Sequence, residues 1–372
     1  MISQPMKLLI TVAIAGICLC SCLTARTSDP VACSAFNKQG DAATATFVRP
    51  KLSLQIAPAG GGKSITLLAT ANDDGLVSCS VFFDREHRYV AVGLIDLRLK
   101  PGPLFIVVAD LAIKQIISNF SVPPSADMGV SLKLIGFFRG GPNLAVLGSG
   151  APDHPGRSFS TTCFRVTGGQ ESPPEMRTLP ENAESVGNIN LIDAVHNRLW
   201  FQSKPEFCPL RSVPLIGSGP GAAVDEADAK AACDAVSAIG YPGEDTLITA
   251  ATRDSGDLVT HVDFVHRSVA QVVLPNAGGR GSYTSVRSGV LSADGEAFAI
   301  ARIVLANSSL GDAHRQGIEV DVVQVSPLKF VGRLRLKPDT DSASISIDQR
   351  NGIVKVLSFS DGRWNSEQLK PE

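Results

Sequence analysis

Short apolar segments separated by tight polar turns recur along most of the chain. In the first recurrence an apolar segment, Val77–Phe83, precedes a turn at Asp84 and a second apolar segment, Tyr89–Val92. The corresponding turns of six recurrences lie at Asp84, Arg139, Asp193, Gly243, Asp294 and Asp348. Their spacing of 50 to 55 residues predicts a repeated β unit rather than unrelated hairpins.

Most of the repeats contain two further apolar segments after the hairpin. They are Leu104–Asp110 with Gln115–Val122, Thr161–Val166 with Met176–Leu179, Leu258–Val265 with Val269–Leu274, and Ile318–Val325 with Phe330–Leu336. Several end next to a proline, which suits a strand end because proline cannot donate to a ladder. Four short strands in about fifty residues are typical of a β-propeller blade.

One hairpin supports this fold by its motif. Ser292–Ala299 reads Ser-Ala-Asp-Gly-Glu-Ala-Phe-Ala, and it resembles the S-x-D-G hairpin between the first two strands of blades in many bacterial β-propellers. The turns at Asp84, Asp193 and Asp348 keep the aspartate but not the glycine after it. The resemblance implies an all-β, closed propeller with four-stranded blades. Ser360–Trp364 is similar to the Asp-box of sialidases, but its spacing differs, so no sialidase chemistry is inferred.

The repeats also predict how the ring closes. The last unit has three strands, and we expect residues 44–71, with strands at Phe47–Ile56 and Ser64–Ala71, to supply its fourth. Residues 44–372 then form a single propeller domain of six blades, or seven if the N-terminal hairpin belongs to a blade of its own. Good helix formers predict a short helix at residues 222–233.

The N-terminus reads as a bacterial export signal. Met6–Cys22 combines a lysine, an apolar run and a small-residue end, and the run is too short to span a membrane. Leu19–Cys22 resembles the lipobox of bacterial lipoproteins, which implies that Cys22 is lipidated; soluble secretion with cleavage after Ala25 is the alternative. We expect an exported protein, periplasmic or on the outer surface, anchored by lipid, with a flexible linker at residues 23–43.

The charge of the chain bears on its binding partners, and its cysteine content bears on possible disulfides. The formal charge of -2 and pI of about 6.3 give no electrostatic basis for binding nucleic acid. Five cysteines follow Cys22, namely Cys33, Cys79, Cys163, Cys208 and Cys233. Cys208 and Cys233 flank a Gly/Pro/Ala-rich stretch and are the first candidate disulfide in an oxidising compartment. Buried free thiols are the alternative.

One segment invites a nucleotide-binding interpretation. Ala57–Ser64 nearly matches a phosphate-binding P-loop, with Leu104–Asp110 as a possible Walker B strand. Alanine replaces the first required glycine, and the residues after Ser64 have the pattern of a strand instead of a helix. A Gly-rich hairpin turn is therefore the better interpretation.

The histidines do not form a recognisable catalytic or metal motif. His87 and His196 each lie three residues after a turn aspartate, but in non-adjacent units, and exposed turn histidines are the preferred interpretation. His154, His261, His266 and His314 accompany no nucleophile motif. Asp339–Ser342 lacks the glycine and distal glutamate of a calcium loop. Trp200 and Trp364 each lie in a predicted strand, and we interpret both as core residues of a blade. No catalytic, metal or cofactor residue is assigned, and no cofactor is expected.

These observations favour a binding or scaffolding module at the bacterial envelope, because a propeller presents loops on a rigid disc. The expected partner is an envelope protein or a glycan, and the expected state is a monomer with membrane contact only through its lipid. The alternative is a propeller enzyme, a lactonase-like hydrolase or glycan lyase, with an axial metal. A passive structural lipoprotein is a third possibility.

Overall fold

The computed structural model describes residues 30–369 with gaps. The gaps are at residues 38, 72–77, 96–101, 125–130, 138–140, 150–158, 168–169, 172–174, 179–182, 185–190, 194–197, 204–209, 215–236, 243–245, 253–255, 264–265, 267, 276–281, 293–294, 308–312, 337–341 and 349–352. Within the described ranges the chain is all β. A search of the same ranges finds no helix that could cross a membrane.

The described strands form seven antiparallel sheets, numbered here in chain order. The first contains β1 (Val31–Phe36), β2 (Ala42–Val48), β3 (Lys51–Ala57) and β4 (Ile65–Thr70), and the second contains β5 (Ser78–Phe83), β6 (Tyr89–Ile95), β7 (Leu104–Asp110) and β8 (Gln115–Val122). The third contains β9 (Ser131–Phe137), β10 (Asn143–Ser149), β11 (Phe159–Thr167), β12 (Gln170–Glu171) and β13 (Glu175–Thr178). The fourth contains β14 (Ala183–Glu184), β15 (Leu191–Asp193), β16 (Arg198–Ser203) and β17 (Leu210–Pro214).

Three further sheets complete the described chain. The fifth contains β18 (Ser237–Pro242), β19 (Thr246–Thr252), β20 (Leu258–Asp263) and β21 (Ser268–Val273). The sixth contains β22 (Ser282–Leu291), β23 (Ala297–Asn307), β24 (Ala313–Gln324) and β25 (Lys329–Arg335), and the seventh contains β26 (Ser342–Asp348), β27 (Ile353–Ser360) and β28 (Arg363–Leu369). The second, fifth and sixth sheets are simple four-stranded meanders, as the repeat predicts.

The N-terminal strands depart from the prediction. Residues 44–71 were expected to complete the last sheet or, as the alternative, to belong to a blade of their own; β2, β3 and β4 pair with one another and with β1, and not with the described strands of the last sheet. The reason is that β1 supplies a fourth strand, and the alternating apolar residues of this sheet, such as Ala45, Leu54 and Leu67, share one face that packs on the second sheet. β1 (Val31–Phe36) lies within residues 23–43, the range for which a flexible linker is predicted.

Neighbouring sheets meet through their first strands, except that the fourth sheet does so through β15, its second strand. Contacts join β1 to β5, β5 to β9, β9 to β15, β15 to β18, β18 to β22 and β22 to β26, and β26 also contacts β1. Ser34 on β1 donates from Oγ to Ser344 Oγ on β26 at 2.7 Å. Trp364 on β28 donates from Nε1 to Thr46 Oγ1 on β2 at 3.3 Å. The first strand of the chain therefore contacts the sheets on both of its sides.

The structure also changes which residues are equivalent in the hairpin turns of the second and sixth sheets. Tyr89 N donates to Asp84 Oδ1 at 2.6 Å, and Ala297 N donates to Ser292 Oγ at 2.9 Å. Asp84 therefore corresponds to Ser292, two residues before the motif aspartate. His87, with φ of 60°, then occupies the place of Gly295, with φ of 78°. The first hairpin thus keeps the left-handed turn position but fills it with histidine.

Gly295→Ala is expected to destabilise the protein by about 1–2 kcal/mol, because an L-residue is strained at this positive φ. A Cβ built at Gly295 has no atom within 4 Å, so steric clash adds nothing. Urea unfolding followed by circular dichroism measures the change. Gly60→Ala, in another turn but without a positive φ and also without a neighbour within 4 Å, is the matched control. Equal midpoints for both variants would contradict the prediction.

Several predicted features lie outside the described residues. These are the helix at 222–233, Cys22 with the rest of the export signal, the candidate pair Cys208 and Cys233, and Asp294 of the hairpin motif.

Candidate functional site: an ionic cluster between two sheets

A cluster of charged side chains lies where the fifth sheet packs against the sixth. Arg302 on β23 is the central group, with Glu319 and Asp321 on β24 beside it. Asp257, which precedes β20, enters from the fifth sheet. Arg333 and Arg335 on β25 complete the cluster. Three arginines therefore face three carboxylates, and the formal charges cancel.

Arg302 bridges the two sheets. Its side chain is 1% exposed, its Nη1 is 2.9 Å from Asp257 Oδ2, and its Nη2 forms a short ion pair with Asp321. Nη2 also donates to the carbonyl oxygen of Pro275 at 3.1 Å. Thr284 donates its hydroxyl to the same Asp257 oxygen in a short hydrogen bond.

The other two arginines extend the cluster toward the surface. Arg333 donates from Nε to Asp321 Oδ1 at 2.6 Å and from Nη2 to Pro275 O at 2.7 Å. Arg335 donates from Nε to Glu319 Oε1 at 2.7 Å, and its side chain is 70% exposed. The cluster is thus buried at Arg302 and exposed to solvent at Arg335.

Burial dominates the electrostatics of the innermost carboxyl group. The pKa of Asp321 is raised by burial, against the opposing influence of Arg333 and Arg302. Burial is the largest single influence on the pKa of Arg333 and lowers it, but the hydrogen bond and charge of Asp321 together with the charges of Glu319 and Asp257 raise the pKa above its usual value. Burial therefore disfavours the charged form of Asp321, and the two arginines offset part of that cost.

The arrangement suits a structural clamp. Among the described residues no group of three His, Cys, Asp or Glu side chains is placed to hold a metal ion. Pro275, Asp257 and Arg302 tie the fifth sheet to the sixth beside the apolar interface that contains Ile248, Phe298 and Val323.

Sequence reasoning missed this cluster because its members come from separate strands. A signal was present nonetheless: Arg302 interrupts an apolar strand, and Glu319 and Asp321 alternate with valines in the next. Charged residues that are fully buried are rare unless they are paired. Charges at alternating positions of an apolar strand were thus a cue to a buried ion pair.

The P-loop-like segment is a hairpin turn, which is the interpretation that the sequence favoured. β3 ends at Ala57 and β4 begins at Ile65, and Gly61 N donates to Pro58 O at 3.1 Å within the turn. Asp110, the candidate Walker B aspartate, instead pairs with Arg88, whose Nη2 is 2.8 Å from Asp110 Oδ2. The hydrogen bond from Arg88 lowers the pKa of Asp110.

The predicted histidine and tryptophan positions are not brought together among the described residues. His87 is half-buried in the first hairpin, and His266 pairs with Asp263 at an exposed turn, with 2.8 Å between Nδ1 and Oδ2. Burial lowers the pKa of His261. Trp364 packs edge-on against Phe359, with 5.1 Å between the ring centroids, as a core residue would. His154, His196 and Asp339 lie outside the described residues.

A disulfide that the sequence did not single out joins the first two sheets. Cys33 on β1 is bonded to Cys79 on β5, 46 residues further along the chain. Cys33 is buried in the apolar core between these sheets. This bond fixes β1 to β5 on one side, while Ser34 bonds to Ser344 on the other.

Comparison with known proteins supports the architecture. No protein-family model matches the chain, and no curated protein matches it. Among solved structures, the β-propeller domain of the Trilobed protease from Pyrococcus furiosus is similar at a TM-score of 0.51 and 9% identity, over 92% of this chain and 96% of that one. The C-terminal WD40 domain of Sif2 has a TM-score of 0.46 and 12% identity, and the match covers 91% of this chain and 95% of that domain's chain.

This chain has a β-propeller fold. A structure of a prolyl endopeptidase is also similar, with a TM-score of 0.54 and 12% identity; the match covers all of this chain and 56% of the endopeptidase chain. At these identities the likeness concerns the fold and not the activity. The ionic cluster lies between two of the seven described sheets.

Proposed function

We propose that this propeller is an exported binding or scaffolding module of the bacterial envelope, anchored to a membrane by lipid on Cys22. The fold supports the proposal because a propeller holds loops from several blades on one rigid support. The lipobox-like Leu19–Cys22 supplies the anchor, and a single acyl-modified terminus tethers a domain without spanning the bilayer.

The disulfide between Cys33 and Cys79 is the observation that carries the export proposal. Disulfides persist in exported proteins and are rare where cytosolic reductants keep thiols reduced. This pair joins two strands, and Cys33 is 7% exposed, so the bond belongs to the folded core and not to a surface. A protein folded around such a bond is suited to the periplasm or the cell surface.

We infer further that the seven sheets are blades of one closed ring. The contacts of β1 with both β5 and β26 support closure, as do the hydrogen bonds from Ser344 to Ser34 and from Trp364 to Thr46. The Pyrococcus propeller is described as having an open velcro topology. The same arrangement is proposed here, because each terminal sheet is built from strands of its own end.

Cys22→Ala is expected to release the protein from the membrane fraction, because the acyl chain is the proposed anchor. Cys20→Ala, two residues earlier in the same segment, is the matched control and should remain in the membrane. Cell fractionation and the mass of the mature N-terminus measure both variants.

A wild-type N-terminus at Arg26 would contradict lipidation and support soluble secretion. Metal analysis of the purified protein tests the competing class. One tightly bound Ca²⁺ or Zn²⁺ per chain would favour the enzyme with an axial metal site over the binding module.

A further inference from the structure

The first and seventh sheets come from opposite ends of the described chain. The first sheet consists of β1 to β4 and the seventh of β26 to β28, and no ladder between described strands joins the two. Sheets that follow one another in sequence are also joined by the chain itself, as between β4 and β5. Among the described residues, the first and seventh sheets are therefore held together by contacts that involve side chains.

The side of the first sheet that meets the seventh is rich in hydroxyl groups. We call it the hydroxyl face; by register it includes Ser34, Thr44, Thr46, Ser53, Thr66 and Leu68. Ser34 and Thr46 are half-buried, and Leu68 is 68% exposed. The opposite side of the same sheet, which contains Phe47 and Leu54, is buried in the apolar core shared with the second sheet. The first sheet is thus apolar on one side and largely polar on the other.

The seventh sheet is likewise two-sided. One side packs on the sixth sheet in an apolar core that contains Ile345, Val354 and Val356. The other side meets the hydroxyl face and by register carries Ser344, Ser346, Phe359 and Trp364. The apolar residues on this second side therefore face a sheet that presents serine and threonine. Both sheets have their apolar partner elsewhere.

Hydrogen bonds of side-chain groups connect the two sheets. Ser34 Oγ donates to Ser344 Oγ at 2.7 Å, and Ser344 Oγ donates to the carbonyl oxygen of Ser34 at 2.5 Å. Trp364 Nε1 donates to Thr46 Oγ1 at 3.3 Å. Such bonds add little net stability, because the same groups bond to water when the sheets part. Apolar burial, the main stabilising contribution to folding, is concentrated on the other sides of both sheets.

The disulfide determines which side of the first sheet can open. Cys33 on β1 is bonded to Cys79 on β5, so the first sheet cannot leave the second while the bond is intact. Ser34, the next residue, lies on the opposite side of β1 and bonds to Ser344. β1 is therefore held covalently on one side and by hydrogen bonds on the other.

We propose that the first and seventh sheets part reversibly at this seam while the first sheet stays on the second and the seventh stays on the sixth. The seam is the contact of the hydroxyl face with the side of the seventh sheet that carries Ser344 and Trp364. Local opening is expected where few apolar contacts are buried. The proposal depends on the contact of β1 with β26 and not on export or lipidation.

Cysteine probes on the two sides of the seventh sheet test the proposal. Ser346 is 3% exposed, and its Oγ lies 3.8 Å from the Cβ position built at Gly40 of the first sheet's first turn. Val356 is fully buried on the side that packs on the sixth sheet. A thiol at either position reacts only after opening. With iodoacetamide on the mature full chain, Ser346→Cys is expected to react at least about tenfold faster than Val356→Cys.

Peptide mass mapping assigns the alkylation to each site and separates it from the native cysteines. Ser344→Ala, added to Ser346→Cys, removes the two hydrogen bonds of the Ser344 hydroxyl and should speed alkylation about fivefold. Ser358→Ala is the matched control, because Ser358 is 2% exposed on the opposite side of the same sheet. It should leave the rate at Ser346→Cys within about twofold.

Urea unfolding must give Ser346→Cys and Val356→Cys the same midpoint, so that the rates report opening and not lost stability. If Val356→Cys is less stable, Val354→Cys, also fully buried on that side, replaces it. A smaller ratio between the two probes, including equally fast alkylation of both as the whole sheet unfolds, overturns the proposal. An unchanged rate in Ser344→Ala also overturns it. A failure of lipid anchoring would appear in the fractionation of Cys22→Ala and would leave these rates unchanged.

Discussion

Arg302→Met is expected to destabilise the protein by about 3–5 kcal/mol, the cost of leaving a buried charge without its partner. Asp257 and Asp321 are 1% and 0% exposed and would lose the guanidinium group between them. Methionine retains most of the aliphatic stem, so the loss of charge and hydrogen bonds dominates over loss of volume. Urea unfolding at neutral pH measures the change in free energy.

Arg335→Met is the matched control within the same cluster. Its guanidinium group also contacts a carboxylate, but the side chain is 70% exposed, and exposed pairs contribute about 1 kcal/mol or less. Similar losses for the two variants would contradict the interpretation of Arg302 as the buried centre. A neutral Arg302→Met would mean that the fifth and sixth sheets are held by their apolar contacts alone.

Removing the disulfide with Cys33→Ala and Cys79→Ala together is expected to cost about 4 kcal/mol. Cross-linking residues 46 positions apart restricts the unfolded chain, and the chain-entropy model gives a stabilisation of about this size. Chemical denaturation of the oxidised wild type and of the double variant measures the difference. Reductant should lower the free energy of unfolding of the wild type to that of the double variant.

The response of the double variant to reductant is the control. If Cys33 and Cys79 form the principal disulfide, reductant leaves this variant unchanged. A further drop would reveal a second bond, for which Cys208 and Cys233 are the sequence-based candidates. A wild type that is insensitive to reductant would contradict a bond between Cys33 and Cys79 and weaken the argument for export.

Both predictions concern how neighbouring blades are joined. Arg302 links the fifth sheet to the sixth by charge, and Cys33 links the first sheet to the second by a covalent bond. The contact of the first sheet with the seventh includes hydrogen bonds between Ser34 and Ser344 and between Trp364 and Thr46.

The sequence alone determined the features that depend on neighbouring residues. The alternation of apolar and polar residues and the turn chemistry at Ser292–Gly295 are local, so they predicted the hairpin repeat and a propeller. The Gly-rich segment between Ala57 and Ile65 was likewise interpreted as a turn from its own residues. These predictions needed no knowledge of which sheets meet.

Tertiary structure decided the features that depend on distant partners. β1 joins β2–β4 because their apolar residues together cover the second sheet, and local pattern cannot show which sheet a strand completes. Cys33 pairs with Cys79 because β1 lies beside β5, although Cys208 and Cys233 looked better placed in sequence. Arg302 meets Asp257 because two sheets pack face to face. In each case long-range contact, and not local preference, determines the partner.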